Sequence, residues 1–305
     1  MTLELRDIEY FVAIAERGNV GRAAIALGLS QPALSKCLRR LEAALQTKLV
    51  KKVPKGIELT AVGTAFFSQV RRIRLSLDDV THEVTDLTQG RAGHVRVGCG
   101  PDMIDLFVGK ACSHLQKAAP KATVAVMVGI NDALFPELRA GEHDLIVSEL
   151  PSRPYEGLVH EYLTDDETIV FASARNPLAR KKHVTLAELT AQRWAATTPN
   201  SLTRSRLVRA FEDNSLAPPK ITLETNSHAL ILSIIASSDL LGFLPRRVVR
   251  SSRSKLGLTE LQVKETTWSR RVGVSYRNDA YLSPAALRFI EILKATAKEI
   301  TARKL

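Results

Sequence analysis

Gln31, Ser35, Lys36, Arg39 and Arg40 recur at helical spacing, opposite an apolar stripe made by Ala33, Leu34, Leu38, Leu41 and Leu45. An amide, a hydroxyl and several cations on one side of a helix suit one kind of partner. The amide and hydroxyl match donors and acceptors on base edges, and the cations match phosphates. The helix that carries them has its own start signal. Ser30 is a cap, and Gln31 and Pro32 occupy the first turn, where a missing N–H costs nothing. Before it, Asn19 caps a shorter helix with Val20, Ala23, Ala24 and Leu27 on one face, and Gly28 supplies a left-handed stop. Two helices about a tight glycine turn form a helix-turn-helix.

The neighbouring stretches support that pair. Leu5 to Arg17 predicts a helix with Ile8, Phe11, Val12 and Ala15 on one side and Gly18 as its stop, which gives the pair something to pack on. Leu49 to Thr60, LVKKVPKGIELT, predicts a hairpin about Pro-Lys-Gly. Lys51, Lys52 and Lys55 fall on or beside its tip and make a wing able to reach a phosphate backbone or a minor groove. From Gln31 to Lys55 seven cations stand against Glu42 alone, a phosphate-binding footprint. The formal net charge of +11 leaves a smaller excess, read as spread over the rest of the surface.

Thr60 to about Gln89 contains no proline and one early glycine, Gly63. Val62, Phe66, Val70, Ile73, Leu77, Val80, Val84 and Leu87 recur at steps of three or four. A helix of that length spans roughly 45 Å. It needs something to pack on, and a second copy of itself is the economical answer. Gly90 to Gly93 then breaks the chain. Beyond it, strand and helix alternate: strands at 94–99, 122–129 and 143–148 with helices between them, then two strands within LVHEYLTDDETIVFAS separated by an Asp165-Asp166 turn. A second series follows, with strands at 194–198, 220–225 and 240–245, a helical turn at 246–251 and a strand at 270–277. A closing helix at 284–303 turns Leu287, Ile290 and Ile292/Leu293 inward. The pattern predicts two α/β lobes with parallel strands.

Other features set bounds. At 45% hydrophobic and 25% charged, the composition is that of a globular chain, and no apolar run approaches the roughly 20 residues a membrane span needs. The first residues do not read as a secretory signal, so a cytoplasmic location is expected. Cys37, Cys99 and Cys112 lack metal-ligand or CxxC spacing. No P-loop, GxGxxG, GxSxG or HExxH stands in the chain, so no catalytic residue, metal or cofactor is expected. A solute-binding sensor whose N-terminal segment only oligomerises is the competing class.

The run AAIALGLSQPALSKCLRRLEAALQTKLVKKVPKGIELTAVG resembles the LysR-type transcriptional regulators, through two alanines, SQPALS, a basic pair before Leu-Glu, an apolar pair before the wing and Leu-Thr before the linker. LRAGEHDLIV and SDLLGFLPRRV also sit where that family has comparable segments. The resemblance implies an α/β multidomain chain. A winged helix-turn-helix occupies 1–59 and a dimerising linker helix 60–89. A periplasmic-binding-protein-like effector domain fills 90–305, with lobe I at about 94–164 and 269–305 and lobe II at about 165–268. It also implies double-stranded promoter DNA, a small-molecule effector, RNA polymerase and further copies of the chain, dimers or more typically tetramers, as partners. Gln31, Pro32, Ser35 and Lys36 fall on the family's DNA-contacting places, and helix geometry adds Arg39. Lys51-Lys52 stands where the family's wing often has Arg. Lysine keeps the charge but loses the planar fork.

Ligands in open α/β sheets bind beyond the carboxyl ends of strands, where helices begin. By alignment to the family, Asp102, Asn131, Thr203 and His228 lie near effector-contacting places. Helix-end geometry adds Thr198, Asn200 and Ser201. Asp102 stands where the family commonly has a hydroxyl. It reads either as a helix N-cap or as an acceptor for amines or hydroxyls. His228 reads either as partly buried and hydrogen-bonded or as an anion partner.

Overall fold

Asn19 and Ser30 cap their helices. Asn19 Oδ1 accepts from the Arg22 N–H at 3.0 Å, and Ser30 Oγ accepts from the Ala33 N–H at 3.3 Å. The computed structural model describes residues 4–54, 56–89, 93–263 and 268–302, less the side chains at 72, 75, 76, 78, 79, 82, 83, 85–89 and 301–302. The chain divides into two compact units, Met1–Thr85 and Asp86–Leu305.

In the first unit, α1 (Leu5–Arg17), α2 (Val20–Ala26) and α3 (Gln31–Ala44) are followed by β1 (Val50–Val53), β2 (Gly56–Leu59) and α4 (Ala61–Gln89). Gly18 and Gly28 adopt the left-handed backbone at φ 58° and 66°, which stops the helices before them. Phe11, Val12, Ile14, Leu34, Leu41 and Leu49 are buried together with Val70 of α4. Each large side chain so removed from water stabilises by about 1.5–3 kcal/mol. Glu42, also buried, accepts from the Leu49 N–H at 3.0 Å and from Lys48 Nζ at 2.7 Å, which ties the end of α3 to the entry of the hairpin. Thr60 Oγ1 accepts from the Gly63 N–H at 2.9 Å and donates to the Lys48 carbonyl at 2.7 Å. A Cβ at Gly63 would stand 1.9 Å from the Leu49 carbonyl oxygen, so only glycine lets α4 start so close to β1.

α4 runs for 29 residues, about 43 Å at the helical rise. Phe66 and Val70 pack inward, whereas Val62, Ile73, Leu77, Val80 and Val84 are 42–56% exposed. The Leu87 side chain lies outside the described residues.

The second unit opens with β3 (His94–Cys99), a π-helical turn (Ile104–Val108), α5 (Gly109–Ala118), β4 (Thr123–Val128), α6 (Asn131–Arg139) and β5 (Leu145–Glu149). It continues with β6 (Leu158–Ser173), a 3-10 turn (Pro177–Arg180), α7 (Leu186–Leu189), β7 (Arg193–Ala196), α8 (Leu202–Asp213), β8 (Lys220–Glu224) and α9 (His228–Ala236). It closes with β9 (Leu241–Pro245), α10 (Arg246–Leu256), β10 (Leu258–Glu260), β11 (Trp268–Arg277) and α11 (Pro284–Ala302). The strands pair in the order β4-β3-β5-β11-β6-β9-β7-β8, with β10 on β6. β3 is parallel to β4 and β5, and β7 is parallel to β8 and β9. The antiparallel pair β6 and β11 joins these two parallel groups, the lobes of this unit. A bulge interrupts that pair at Val272/Gly273, where a Cβ on Gly273 would meet the Glu161 carbonyl oxygen at 2.3 Å.

Four expectations need correction. Leu158–Ser173 is one strand of 16 residues, not two with an acidic turn between them. Asp166 lies inside it and is 6% exposed, because arginines from other elements neutralise it. The helix after β3 does not start regularly at Met103 but opens with the π turn. The turn expected at 246–251 is an eleven-residue helix, ended by the left-handed Gly257. Leu287 is 52% exposed, and Ala285, Ala286 and Phe289 take inward places, because the buried face runs through Ala286, Phe289, Ile290, Leu293 and Ala297 at helical steps and Leu287 falls outside it.

Candidate nucleic-acid interface and effector cleft

α3 buries Leu34, Leu38 and Leu41 and leaves the other side to solvent. Gln31, Pro32, Lys36 and Arg39 are exposed and Ser35 is half-buried, so the five side chains lie on or at the edge of one open face. Lys36 and Arg39 have no ion-pair partner among the described residues. Arg40, expected on that face, is bound to the buried Asp7 of α1, whose carboxylate holds the guanidinium charged. In the hairpin Lys51 sits opposite Glu58 and bonds it at 2.8 Å, while Lys52 is exposed and has no acidic partner among the described residues. Lys55 lies outside the described residues. Among the described residues of the footprint, the cations left without an acidic partner are Lys36, Arg39 and Lys52.

In the second unit the strand ends converge on a small cavity of about 50 Å³ lined by Asp102, Asn131, Ser201, Thr203 and His228, with Glu149, Thr197 and Arg270. Asn131, Glu149 and Leu202 also line a neighbouring cavity of about 610 Å³, with Asn200, Arg153, Arg206 and Arg209. Asp102 and His228 likewise line one of about 630 Å³, with Ile104, Leu106, Leu232 and Val248. Five of the seven expected residues meet at the neck and Asn200 lines the larger basic chamber. Thr198 lines none of these cavities. Its N–H and hydroxyl both bond Asn226 Oδ1 at 3.1 Å and lock two strand ends together.

The cleft is built on charges that sequence reasoning missed. Arg270, on β11, is buried and bonds the carboxylates of Asp102 and Asp166, the latter at 3.1 Å, with Glu149 at 4.0 Å. Burial disfavours the guanidinium charge, but Asp102 and Asp166 outweigh it and hold Arg270 charged. Burial also works against the Asp102 charge, and Arg270 with His228 overcomes it, so the Asp102 carboxyl sits below its ordinary range. Asp166 goes the other way: burial raises its carboxyl, and Arg270 and Arg247 offset only part of that. Asp102 is thus an ion-pair member. Met103 holds the N-cap position of the turn that follows, with no side-chain cap bond, so the N-cap reading of Asp102 is overturned.

A second bond crosses the cleft, from Arg206 of α8 to Glu149 of β5. Asn131 Nδ2 donates to the Glu149 carbonyl at 2.8 Å and braces that strand end. Ser201 Oγ accepts from the Arg204 N–H at 3.0 Å and caps α8. His228, first residue of α9, has a buried Nδ1 with no hydrogen-bond partner among the described residues, which overturns the expectation of a hydrogen-bonded ring. Burial lowers its pKa, Asp102 opposes that and Arg270 adds to it, so the ring is neutral at pH 7. A neutral imidazole facing the neck can donate or accept. Arg270 gave no distinct signal in sequence, since Arg271 and Arg277 stand in the same strand and its partners lie more than a hundred residues away.

Among the described residues no group of three or more His, Cys, Asp or Glu side chains is placed to hold a metal ion, and no helix is long and apolar enough to cross a membrane.

Comparison with known proteins agrees with this architecture. Residues 5–64 match the model for bacterial regulatory helix-turn-helix proteins of the lysR family, and residues 88–298 match the LysR substrate binding domain. The HTH-type transcriptional regulator GbpR of Azospirillum brasilense is 27% identical over 97% of this chain and 87% of its own length. PcaQ of Agrobacterium fabrum is 26% identical over 98% and 96%. Full-length CbnR, crystallised with its target DNA, superposes with a TM-score of 0.62 at 21% identity, covering 96% of this chain and all of CbnR. The regulatory domain of Synechocystis CcmR, solved with 2-PG, gives 0.61 at 22% identity over 68% of this chain and 98% of its own. With a helix-turn-helix unit and a substrate-binding unit matched in sequence along almost its whole length, the chain belongs to the LysR family of DNA-binding transcriptional regulators.

Proposed function

We propose that this regulator reads double-stranded promoter DNA through α3 and answers to a small polar metabolite held in the cleft. Gln31, Pro32 and Ser35 face base edges and adjoining sugar in the major groove, Lys36 and Arg39 hold phosphates, and Lys51, Lys52 and Lys55 of the wing grip the flanking backbone, Lys51 by exchanging its exposed partner Glu58 for a phosphate. The carrying observation is the open face of α3, where exposed amide and cationic side chains stand free of internal acids opposite the buried Leu34, Leu38 and Leu41. Residues 1–59 form the DNA-binding domain, 60–89 the linker and 90–305 the effector domain. The exposed apolar stripe of α4 pairs two chains, and two pairs make a tetramer. CbnR's complex with its target DNA supports the first assignment and CcmR's complex with 2-PG the second. The protein works in the cytoplasm, without catalysis or cofactor, and RNA polymerase is its further contact.

The effector enters the neck between Asp102, Asn131, Asn200, Ser201, Thr203 and His228, with Thr198 bracing the strand ends around it. It must bind one lobe arrangement better than another to shift DNA binding. The Glu149–Arg206 bond supplies two such arrangements, since an effector offering Arg206 an acceptor releases Glu149. Selection of binding duplexes from a random pool, followed by a thermal-shift screen of polar metabolites, tests both halves. Ligands that bind only the folded state raise its melting temperature. Recovery of no preferred sequence, or no stabilising metabolite, contradicts the corresponding half.

A further inference from the structure

The surplus positive charge outside the DNA-reading unit is not scattered: the fold gathers it. Two stretches, 168–187 and 240–259, contain no acidic residue and hold Arg175, Arg180, Lys181 and Lys182 in the first and five further cations in the second. The second unit brings them together. β10 pairs with the end of β6, Leu258 against Ser173, and the Ala174 N–H bonds the Gly257 carbonyl at 2.8 Å. Gly257 ends α10, so Arg175 emerges beside the last turn of that helix. The segment that carries Arg180 and Lys182 then runs on to Val184, whose N–H bonds the Gln262 carbonyl at 3.2 Å.

α10 divides its cations. Arg246 and Arg247 turn inward to Glu167, Glu260 and Asp166. Arg250, Arg253 and Lys255 are exposed, and none has an acidic partner among the described residues. The acids that come near are already engaged, Asp239 by Arg193 at 2.8 Å and Glu188 by Lys181 at 2.5 Å. Arg175 donates to the Ala236 carbonyl at the end of α9 at 3.0 Å, and a helix C-terminus favours nearby cations such as Arg253 and Lys255, but neither contact accounts for Arg180, Lys182 or Arg250.

We infer that this corner of lobe II is a second polyanion surface, and that its occupant is the sugar-phosphate backbone of duplex DNA, distinct from the duplex segment read by α3. The chemistry selects that occupant. The free groups are guanidinium and ammonium donors, with the exposed hydroxyl of Ser254 among them. Leu256 is the one large apolar side chain on this face that is substantially exposed, at 37%. Protein-binding surfaces need a desolvated apolar or aromatic centre, which this face lacks, whereas backbone binding needs only charge and hydrogen-bond donors. The surface adds grip without sequence preference, so DNA long enough to reach it is held more tightly than DNA that covers α3 alone.

The test uses the full-length protein with random-sequence duplexes of two lengths, 20 and 60 base pairs, titrated by fluorescence anisotropy over a range of salt. The variant carries Arg250→Gln, Arg253→Gln and Lys255→Gln together. All three side chains are exposed, and an unchanged melting temperature and oligomeric state confirm its fold. Each lost phosphate contact flattens the salt slope by about 0.9. On the longer duplex the slope therefore falls by about 2–3 and affinity drops at least about tenfold at low salt, while binding to the shorter duplex is unchanged. Equal slopes for variant and parent on both lengths overturn the proposal. So does an unchanged DNA slope accompanied by lost binding to phosphatidylglycerol vesicles, which would assign the surface to lipid. If the parent binds the short duplex no more weakly than the long one, the surface adds nothing and the proposal fails while the DNA-reading assignment stands.

Discussion

On α3 and the wing, Lys36, Arg39 and Lys52 stand exposed with no acid bonded to them among the described residues. In the cleft, Arg270, Asp102, Asp166 and Glu149 are each less than a tenth exposed, and every one is tied to another charge. The contrast separates two uses of the same residue types. Charge left free in solvent costs the folded chain little and keeps its attraction for an outside polyanion. Charge buried in the cleft must be matched inside the protein, because desolvation of an unpaired ion outweighs any other local gain. The first arrangement suits recognition. The second makes the cleft a place where adding or moving one charge reorganises several.

Breaking the buried network has the largest expected effect. Arg270→Met leaves Asp102, Asp166 and Glu149 without their common partner and costs about 3–5 kcal/mol. Thermal unfolding should show a drop of roughly 10 °C for a unit of this size. Lys36→Met, its counterpart on the open face, should leave the melting temperature within about a degree of the parent, as surface substitutions usually do. Equal losses would erase the contrast.

The linker comes next. Leu77→Asp with Val80→Asp places two carboxylates on the exposed apolar stripe of α4. Burying two such side chains between chains is worth about 3 kcal/mol or more. Sedimentation equilibrium should therefore show dimer dissociation strengthened by about a hundredfold or more. An unchanged dimer would mean that α4 does not join the two chains.

A smaller effect sharpens the free-charge side. Lys36→Gln with Arg39→Gln should flatten the salt dependence of DNA binding by about 2 per engaged chain, without changing the melting temperature. Smallest is the pH response of the cleft. The folded pKa of His228 lies below its unfolded value, so its titration contributes nothing above about pH 6.5 and destabilises increasingly as pH falls below it. His228→Gln should reduce the loss of melting temperature between pH 7 and pH 5. A steeper loss would reverse the assigned sign.

The two regions were not equally legible in the sequence. The helix-turn-helix is written in local signals. Asn19, Gly28, Ser30 and Pro32 act within a few residues of themselves, and Leu34, Leu38 and Leu41 need only the helical repeat to be assigned inward. Strand ends and helix starts around the cleft were legible for the same reason. The network on which they rest was not. Arg270 meets Asp102 across 168 residues and Asp166 across 104, and no periodicity encodes such a pairing. Without Arg270 in view, Asp165-Asp166 resembles a solvated turn. With it, Asp166 belongs in a strand that joins both lobes. Arg40 makes the same point on the open face, since only the fold shows that Asp7 claims it.

The most direct measurement compares parent and Gln31→Ala on a selected operator and on a scrambled duplex of equal length and salt. The account predicts that the variant loses about 1–3 kcal/mol on the operator, confined to one base position, and nothing on the scrambled sequence. Equal loss on both duplexes would show that α3 does not read sequence through Gln31, and would contradict it.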